Sequence, residues 1–280
     1  MIKYQDQLIE LAINEDIGDG DHTSLSCIPE SAIGKARLIV KEDGIIAGID
    51  IAARIFKKID ENLQLDVILK DGDKITKGDI AFTVEGKKHS ILQAERIVLN
   101  FMQRMSGIAT RTSEYVELLK GLKTKVVDTR KTTPGLRFIE KEAVRIGGGK
   151  NHRMGLYDMI MIKDNHIDFA GGIVPAISKS KEYIKSKNKN LKIEIEVRTI
   201  DDIKTILQAG GIDRIMLDNF SIEKTKEAVE LIAGKYEIES SGGITYETIR
   251  DYAACGVDYI SVGALTHQIK SLDMSLKAVF

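Results

Sequence analysis

Two cysteines, Cys27 and Cys255, are all that this 280-residue chain contains. They are far apart and lack metal-ligand spacing, which excludes a disulfide framework and points to idle thiols in a reducing compartment. A surplus of one charge is also missing: 41 Lys and Arg against 42 Asp and Glu leave a net charge of −1. No global basic field therefore argues for a nucleic-acid partner. No apolar run approaches the roughly 20 residues needed to cross a bilayer. The opening Met1-Ile2-Lys3-Tyr4-Gln5-Asp6 lacks the apolar stretch of a signal peptide. The expectation is a soluble, cytoplasmic protein with neither membrane nor nucleic acid as a partner.

What is present fits two unequal domains. Strand-like pieces at 36–40, 44–48, 65–69 and 80–84 are separated by the turn signals Asp71-Gly72-Asp73 and Lys77-Gly78-Asp79. A helical pattern follows from Ile91 to Leu122, with Ile91, Ala94, Ile97, Val98, Phe101 and Met105 on one face. Beyond it, strands near 124–129, 159–163, 192–197, 213–217, 236–240 and 258–262 alternate with helices such as 201–209 and 221–233. Strands alternating with helices mean parallel pairing through right-handed crossovers. Six units suggest an α/β chain with a β/α barrel short of the usual eight, and an open doubly wound sheet is the alternative.

In either architecture, chemistry collects at the carboxyl ends of the strands. All six ends here carry polar residues: Asp128-Thr129-Arg130-Lys131, Lys163-Asp164-Asn165-His166, Glu194-Ile195-Glu196, Asp218-Asn219, Ser240-Ser241-Gly242-Gly243 and Ser261-Val262-Gly263. Between 130 and 163, eight Lys or Arg face three acids in an otherwise neutral chain. Arg137, Lys141 and Arg145 lie at helical spacing near Glu140 and Glu142 and read as a salt-bridged helix face. Arg130, Lys131, Arg153 and Lys163, with His152 and His166 beside them, read instead as binding groups for an anion.

Ser241-Gly242-Gly243 and Gly263 follow the last two strands, where barrels commonly hold a phosphate on backbone N–H groups. Gly147-Gly148-Gly149 lies in another loop and fits equally a bend or a close approach to ligand. Glu196 and Asp218 place two carboxylates in a cationic mouth, which suits sugar hydroxyls or a hydrated Mg²⁺. The ligand so described carries carboxylates, a phosphate, hydroxyls and a metal-linked polyphosphate.

These residues resemble the quinolinate phosphoribosyltransferases. The likeness lies in Asp128 to Arg137, in Gly147-Gly148-Gly149-Lys150-Asn151-His152-Arg153-Met154-Gly155-Leu156 and in Ile162-Lys163-Asp164-Asn165-His166. It extends to Glu15-Asp16-Ile17-Gly18, Glu95-Arg96 through Thr110, Met216-Leu217-Asp218-Asn219, Ser241-Gly242-Gly243-Ile244 and Ser261 to His267. Glu142 stands where an aromatic residue is common, in a helix rather than the site.

The resemblance implies an N-terminal α/β sandwich (1–107) and an incomplete six-stranded barrel (108–280) whose C-terminal tail packs back on the sandwich. It implies transfer of the phosphoribosyl group of phosphoribosyl pyrophosphate (PRPP) to quinolinate, giving nicotinate mononucleotide, CO₂ and pyrophosphate. Arg130, His152, Arg153 and Lys163 would bind the quinolinate carboxylates. Lys131, Glu196 and Asp218, with Lys163, would be catalytic. Mg²⁺ would accompany PRPP on Glu196 and Asp218, directly or through water, and no organic cofactor is needed. Ser241, Gly242, Gly243 and Gly263 would take the 5′-phosphate. The enzyme would be a homodimer, or a multiple of one, with Arg96 entering the neighbour's site.

Three other readings compete. A molybdenum-transport-associated relative tends to lack the lysine and asparagine of the Lys163 to His166 run, which this chain keeps. A Schiff-base aldolase would need Lys131 or Lys163 in an apolar pocket, which the arginines deny. A metabolite sensor, or another phosphoribosyltransferase, is the remaining class, and a sensor would not need Lys131, Glu196 and Asp218 together.

Overall fold

A computed structural model describes residues 2–279, with side chains for 4–279. The chain forms two compact units, and three separate segments (1–113, 132–148 and 264–280) make the first. Residues 114–131 and 149–263 make the second. The boundary drawn at 107/108 falls inside one unbroken helix, Lys88–Leu118.

In the first unit, β1 (Ile33–Val40), β3 (Gln64–Val67) and β5 (Ile80–Lys87) form an antiparallel sheet with β5 in the middle of the three. The last strand of the chain, Met274–Val279, pairs with the other edge of β1 from Lys35↔Val279 to Val40↔Met274. On β1, Ala36, Leu38 and Val40 alternate into the core. The helix Ile49–Ile59 buries Ile49, Ile51, Ala52, Ile55 and Phe56, and Phe56 meets Phe82 of β5 edge to face at 5.7 Å. The strand expected over 44–48 is only β2 (Gly44–Ile45), paired with β4 (Lys74–Ile75). Gly48, at φ 102°, turns the chain straight into the following helix.

The second unit holds β6 (Lys125–Val127), β7 (Ile160–Ile162), β8 (Ile193–Val197), β9 (Arg214–Asp218), β10 (Glu237–Ser241) and β11 (Tyr259–Ser261). They form one parallel sheet in the order β6-β11-β10-β9-β8-β7. A parallel bridge from Val127 to Lys150 continues past β6. Among the described residues β7 has no partner beyond β8, so the barrel is incomplete and unclosed. One face carries Ile193, Ile195, Val197, Ile215, Leu217 and Ile260, all buried. The other carries Glu194, Glu196, Arg214, Met216, Asp218, Glu239 and Tyr259, a polar interior. Among the described residues no helix is long and apolar enough to cross a membrane.

Candidate active site

Strand ends position the side chains. Asp128 directly follows β6 and is fully buried. Its Oδ1 accepts the His152 backbone N–H at 2.9 Å and its Oδ2 accepts Asn151 Nδ2 at 2.6 Å. One carboxylate thus fixes the segment that delivers His152 and Arg153. Asp158 ties the far side of this loop, accepting from the N–H groups of Met154 (2.8 Å) and Gly155 (2.9 Å).

Arg130, Arg153, Lys163 and His166 line a cavity of about 440 Å³ whose wall includes Met159 and Met161. Burial, and then the neighbouring Arg130 guanidinium, lowers the pKa of Arg153. Two guanidiniums lining one cavity beside an apolar wall favour an anion with an apolar body. Lys163 Nζ lies 2.9 Å from Glu196 Oε2, so the carboxylate read from the sequence as a group for sugar hydroxyls or Mg²⁺ pairs here with a lysine of the cavity. At the next strand end, Asp218 Oδ2 accepts Asn219 Nδ2 at 2.9 Å.

Gly242 and Gly243 follow at φ 92° and 63°. A Cβ on Gly242 would fall 2.2 Å from Asn219 Oδ1, so glycine is required there by both conformation and space. Asn219 itself sits at φ 55°, its N–H donating to Ser241 O at 2.8 Å.

The second unit therefore brings together Arg130, Arg153 and Lys163 around one cavity, with Glu196, Asp218, Ser241, Gly242 and Gly243 on adjoining strand ends and Lys131 and Gly263 just past theirs. Arg96 lies on the other unit, exposed on the helix Lys88–Leu118. His152 does not line the cavity. It is buried beneath, with Nε2 3.0 Å from Glu194 Oε2 and 3.3 Å from Glu239 Oε2. Burial alone would depress its pKa, but the two carboxylates raise it to about 9.

The helix Arg137–Ile146 carries the expected salt-bridged face only in part. Arg145 does pair with Glu142. Glu140, however, is buried and accepts from Arg104 Nε at 3.0 Å and from the Thr133 N–H at 3.1 Å. Lys141 is only 1% exposed. Sequence reasoning also passed over Glu239, Arg214 and the separate role of Glu194. Their signal was present: acids and an arginine at alternate positions of three successive strands.

Comparison with known proteins gives concordant matches. Family models described as quinolinate phosphoribosyl transferase match in two parts, the N-terminal domain over residues 21–106 and the C-terminal domain over residues 108–277. A Nicotiana tabacum protein, quinolinate phosphoribosyltransferase [decarboxylating] 1b, is 46% identical over 96% of this chain and 81% of its own. A probable nicotinate-nucleotide pyrophosphorylase [carboxylating] of Bacillus subtilis is 45% identical over 94% of this chain and 89% of its own. The crystal structure of NadC from Streptococcus pyogenes superposes with a TM-score of 0.93 at 40% identity, covering 98% of this chain and 97% of that one.

Proposed function

Because the chain belongs to the quinolinate phosphoribosyltransferase family, we propose that the strand-end cluster binds quinolinate beside PRPP and aligns them for transfer and decarboxylation. The family uses these two substrates in NAD biosynthesis. The observation that carries the assignment is the cavity where Arg130, Arg153 and Lys163 converge against an apolar wall. A planar dicarboxylate with an aromatic body matches that lining.

In this reading Arg130 and Arg153 grip the two carboxylates and Lys163 adds a third cation, so the pyridine nitrogen is aimed at C1 of the ribose. Most of the gain is alignment, an entropic contribution made before reaction. The nitrogen forms a bond to C1 as the C1–O bond to pyrophosphate breaks. Lys131 lies beside Arg130 and would take up charge on the departing pyrophosphate. The carboxylate next to the new N⁺ then leaves as CO₂. Its electron pair stays on the ring carbon, stabilised by N⁺, until that carbon takes a proton. This internal electron sink makes an organic cofactor unnecessary.

Glu196 and Asp218 fit a hard divalent cation. One oxygen of each is engaged, by Lys163 and by Asn219, while Glu196 Oε1 and Asp218 Oδ1 accept no hydrogen bond among the described residues. They would hold the Mg²⁺ that travels with PRPP, directly or through water, and the ion when bound neutralises pyrophosphate charge. Ser241, Gly242, Gly243 and Gly263 would offer backbone N–H groups to the 5′-phosphate. The same reading makes the enzyme a cytoplasmic homodimer in which Arg96 of each subunit serves the other's site.

The first test follows nicotinate mononucleotide and CO₂ together from quinolinate, PRPP and Mg²⁺. A nucleotide formed only with some other base would discard the substrate assignment. Lys131→Ala should abolish turnover while leaving quinolinate affinity, read by calorimetry, largely intact. Equal losses in both would contradict its role. Mixing inactive Arg96→Ala with inactive Lys131→Ala should restore up to about a quarter of the activity through heterodimers with one intact site. No restoration would refute the shared site.

A further inference from the structure

One buried cluster is left unused by the reaction as proposed. Glu194 and Glu239, both 0% exposed, stand beside each other in the polar interior of the second unit. Arg214 Nη1 lies 2.9 Å from Glu239 Oε2 and 3.8 Å from Glu194 Oε2, and its other side is held by Glu237 at 3.1 Å and by the Tyr259 ring at 3.9 Å. His152 Nε2 faces the same two Oε2 atoms. Buried ion clusters are usually no more stable than well-packed apolar side chains of the same volume. Stability alone therefore does not account for this one.

Orientation does. His152 Nδ1 accepts the backbone N–H of Arg153 at 2.7 Å, so the neutral ring carries its proton on Nε2, which faces the two carboxylates at 3.0 and 3.3 Å without a hydrogen bond to either. Nε2 then offers no lone pair to a metal ion, although the three side chains lie close enough to surround one. The ring is held at one nitrogen by the charge of Glu194 and Glu239 and at the other by a hydrogen bond from the backbone N–H of Arg153, whose guanidinium lines the cavity with Arg130. We propose that Glu194 and Glu239 are positioning residues of the substrate site, acting through the His152 ring to aim the Arg153 guanidinium at a carboxylate of the substrate. The inference rests on the reading of Arg153 as a carboxylate ligand.

The experiment is a double-mutant cycle on the intact enzyme. Glu194→Gln is the first variant, because Arg214 keeps Glu239 and Glu237 and the fold is retained. It should raise KM for quinolinate roughly tenfold, the scale of a small misalignment, with KM for PRPP unchanged within about twofold. In an Arg153→Ala background the same change should have almost no further effect, since its route to the substrate is gone. Glu239→Gln should behave alike, and Glu194→Asp should recover part of the loss. Equal effects of Glu194→Gln with and without Arg153, or parallel losses for both substrates, would overturn the inference. If Arg153→Ala itself leaves KM for quinolinate unchanged, the underlying reading fails and the inference with it. If Arg153→Ala raises that KM but neither carboxylate variant does, the inference alone fails.

Discussion

Asp128→Asn tests how the site is held more directly than removal of any cation would. The wild-type carboxylate accepts at least two donors, the His152 N–H on Oδ1 and the Asn151 amide on Oδ2. Asparagine has nearly the same shape but only one acceptor oxygen, so in either orientation its NH₂ faces a donor. One hydrogen bond to a charged acceptor is lost, at a cost of about 1.5–3 kcal/mol. If that cost falls on the alignment of Arg153, kcat/KM for quinolinate drops roughly 10- to 150-fold. KM for PRPP should stay within about twofold, because apart from Lys131 its contacts come from other strand ends. The melting temperature should fall by about 2–4 °C for each kcal/mol. Steady-state kinetics with each substrate varied, alongside thermal unfolding, separate the two effects. A lower melting temperature with kcat/KM for quinolinate within twofold of wild type would show that Asp128 stabilises the loop without aligning the site, and the reasoning would be wrong.

Gly242→Ala combines a left-handed φ of 92° with a Cβ 2.2 Å from Asn219 Oδ1. Strain of about 1–3 kcal/mol should lower kcat/KM for PRPP roughly 5- to 150-fold, while calorimetric affinity for quinolinate is preserved; a matching loss of quinolinate affinity would contradict the phosphate role. Glu140→Gln should cost about 3 kcal/mol by leaving Arg104 without its buried partner, whereas Glu142→Gln, losing only the exposed pair with Arg145, should cost under about 1 kcal/mol. Equal melting temperatures for the two variants would refute this. The His152 pKa, raised to about 9, lies above the unfolded value of about 6.5, so its contribution to stability is complete below pH 6.5 and lost as pH rises through 9, by at most about 3 kcal/mol. The Arg153 N–H at Nδ1 favours the neutral ring and reduces that figure. Melting curves from pH 6 to 10 should fall more steeply for wild type than for His152→Asn, and parallel curves would show the ring to be neutral throughout.

The six parallel strands were legible to within two residues at each end. Such strands are short apolar runs bounded by turn signals, and crossover helices leave little choice about where they start and stop. Their openness as a barrel was not legible from spacing, because hydrogen-bonded closure depends on which edges meet. The strand Met274–Val279 was expected only as a tail packing back on the sandwich, for a related reason. It is half exposed, and its partner β1 lies more than 230 residues earlier, so no local pattern announces the pairing. The division into units was equally hidden. Residues 132–148 leave the second unit between β6 and β7, and nothing in their helical periodicity says which core they serve.

The mouth of the site was readable because strand ends in parallel sheets are where polar residues have a reason to be. The layer beneath it was not. In Ile193-Glu194-Ile195-Glu196-Val197, alternation of acid and aliphatic reads as a strand with one wet face, yet Glu194 is fully enclosed and only Glu196 reaches the mouth. The two acids differ by one pleat and have different partners: Glu196 meets Lys163, whereas Glu194 meets His152 and Arg214. Burying Glu194 beside Glu239 pushes its pKa upward, and only the cations on either side make the pair tolerable. An apolar interior would be as stable or more so, but it could not tell the His152 ring which way to face. On the proposed reading the interior is polar for the same reason that the mouth is cationic: both layers present guanidinium groups in a fixed direction, one by binding and the other by bracing.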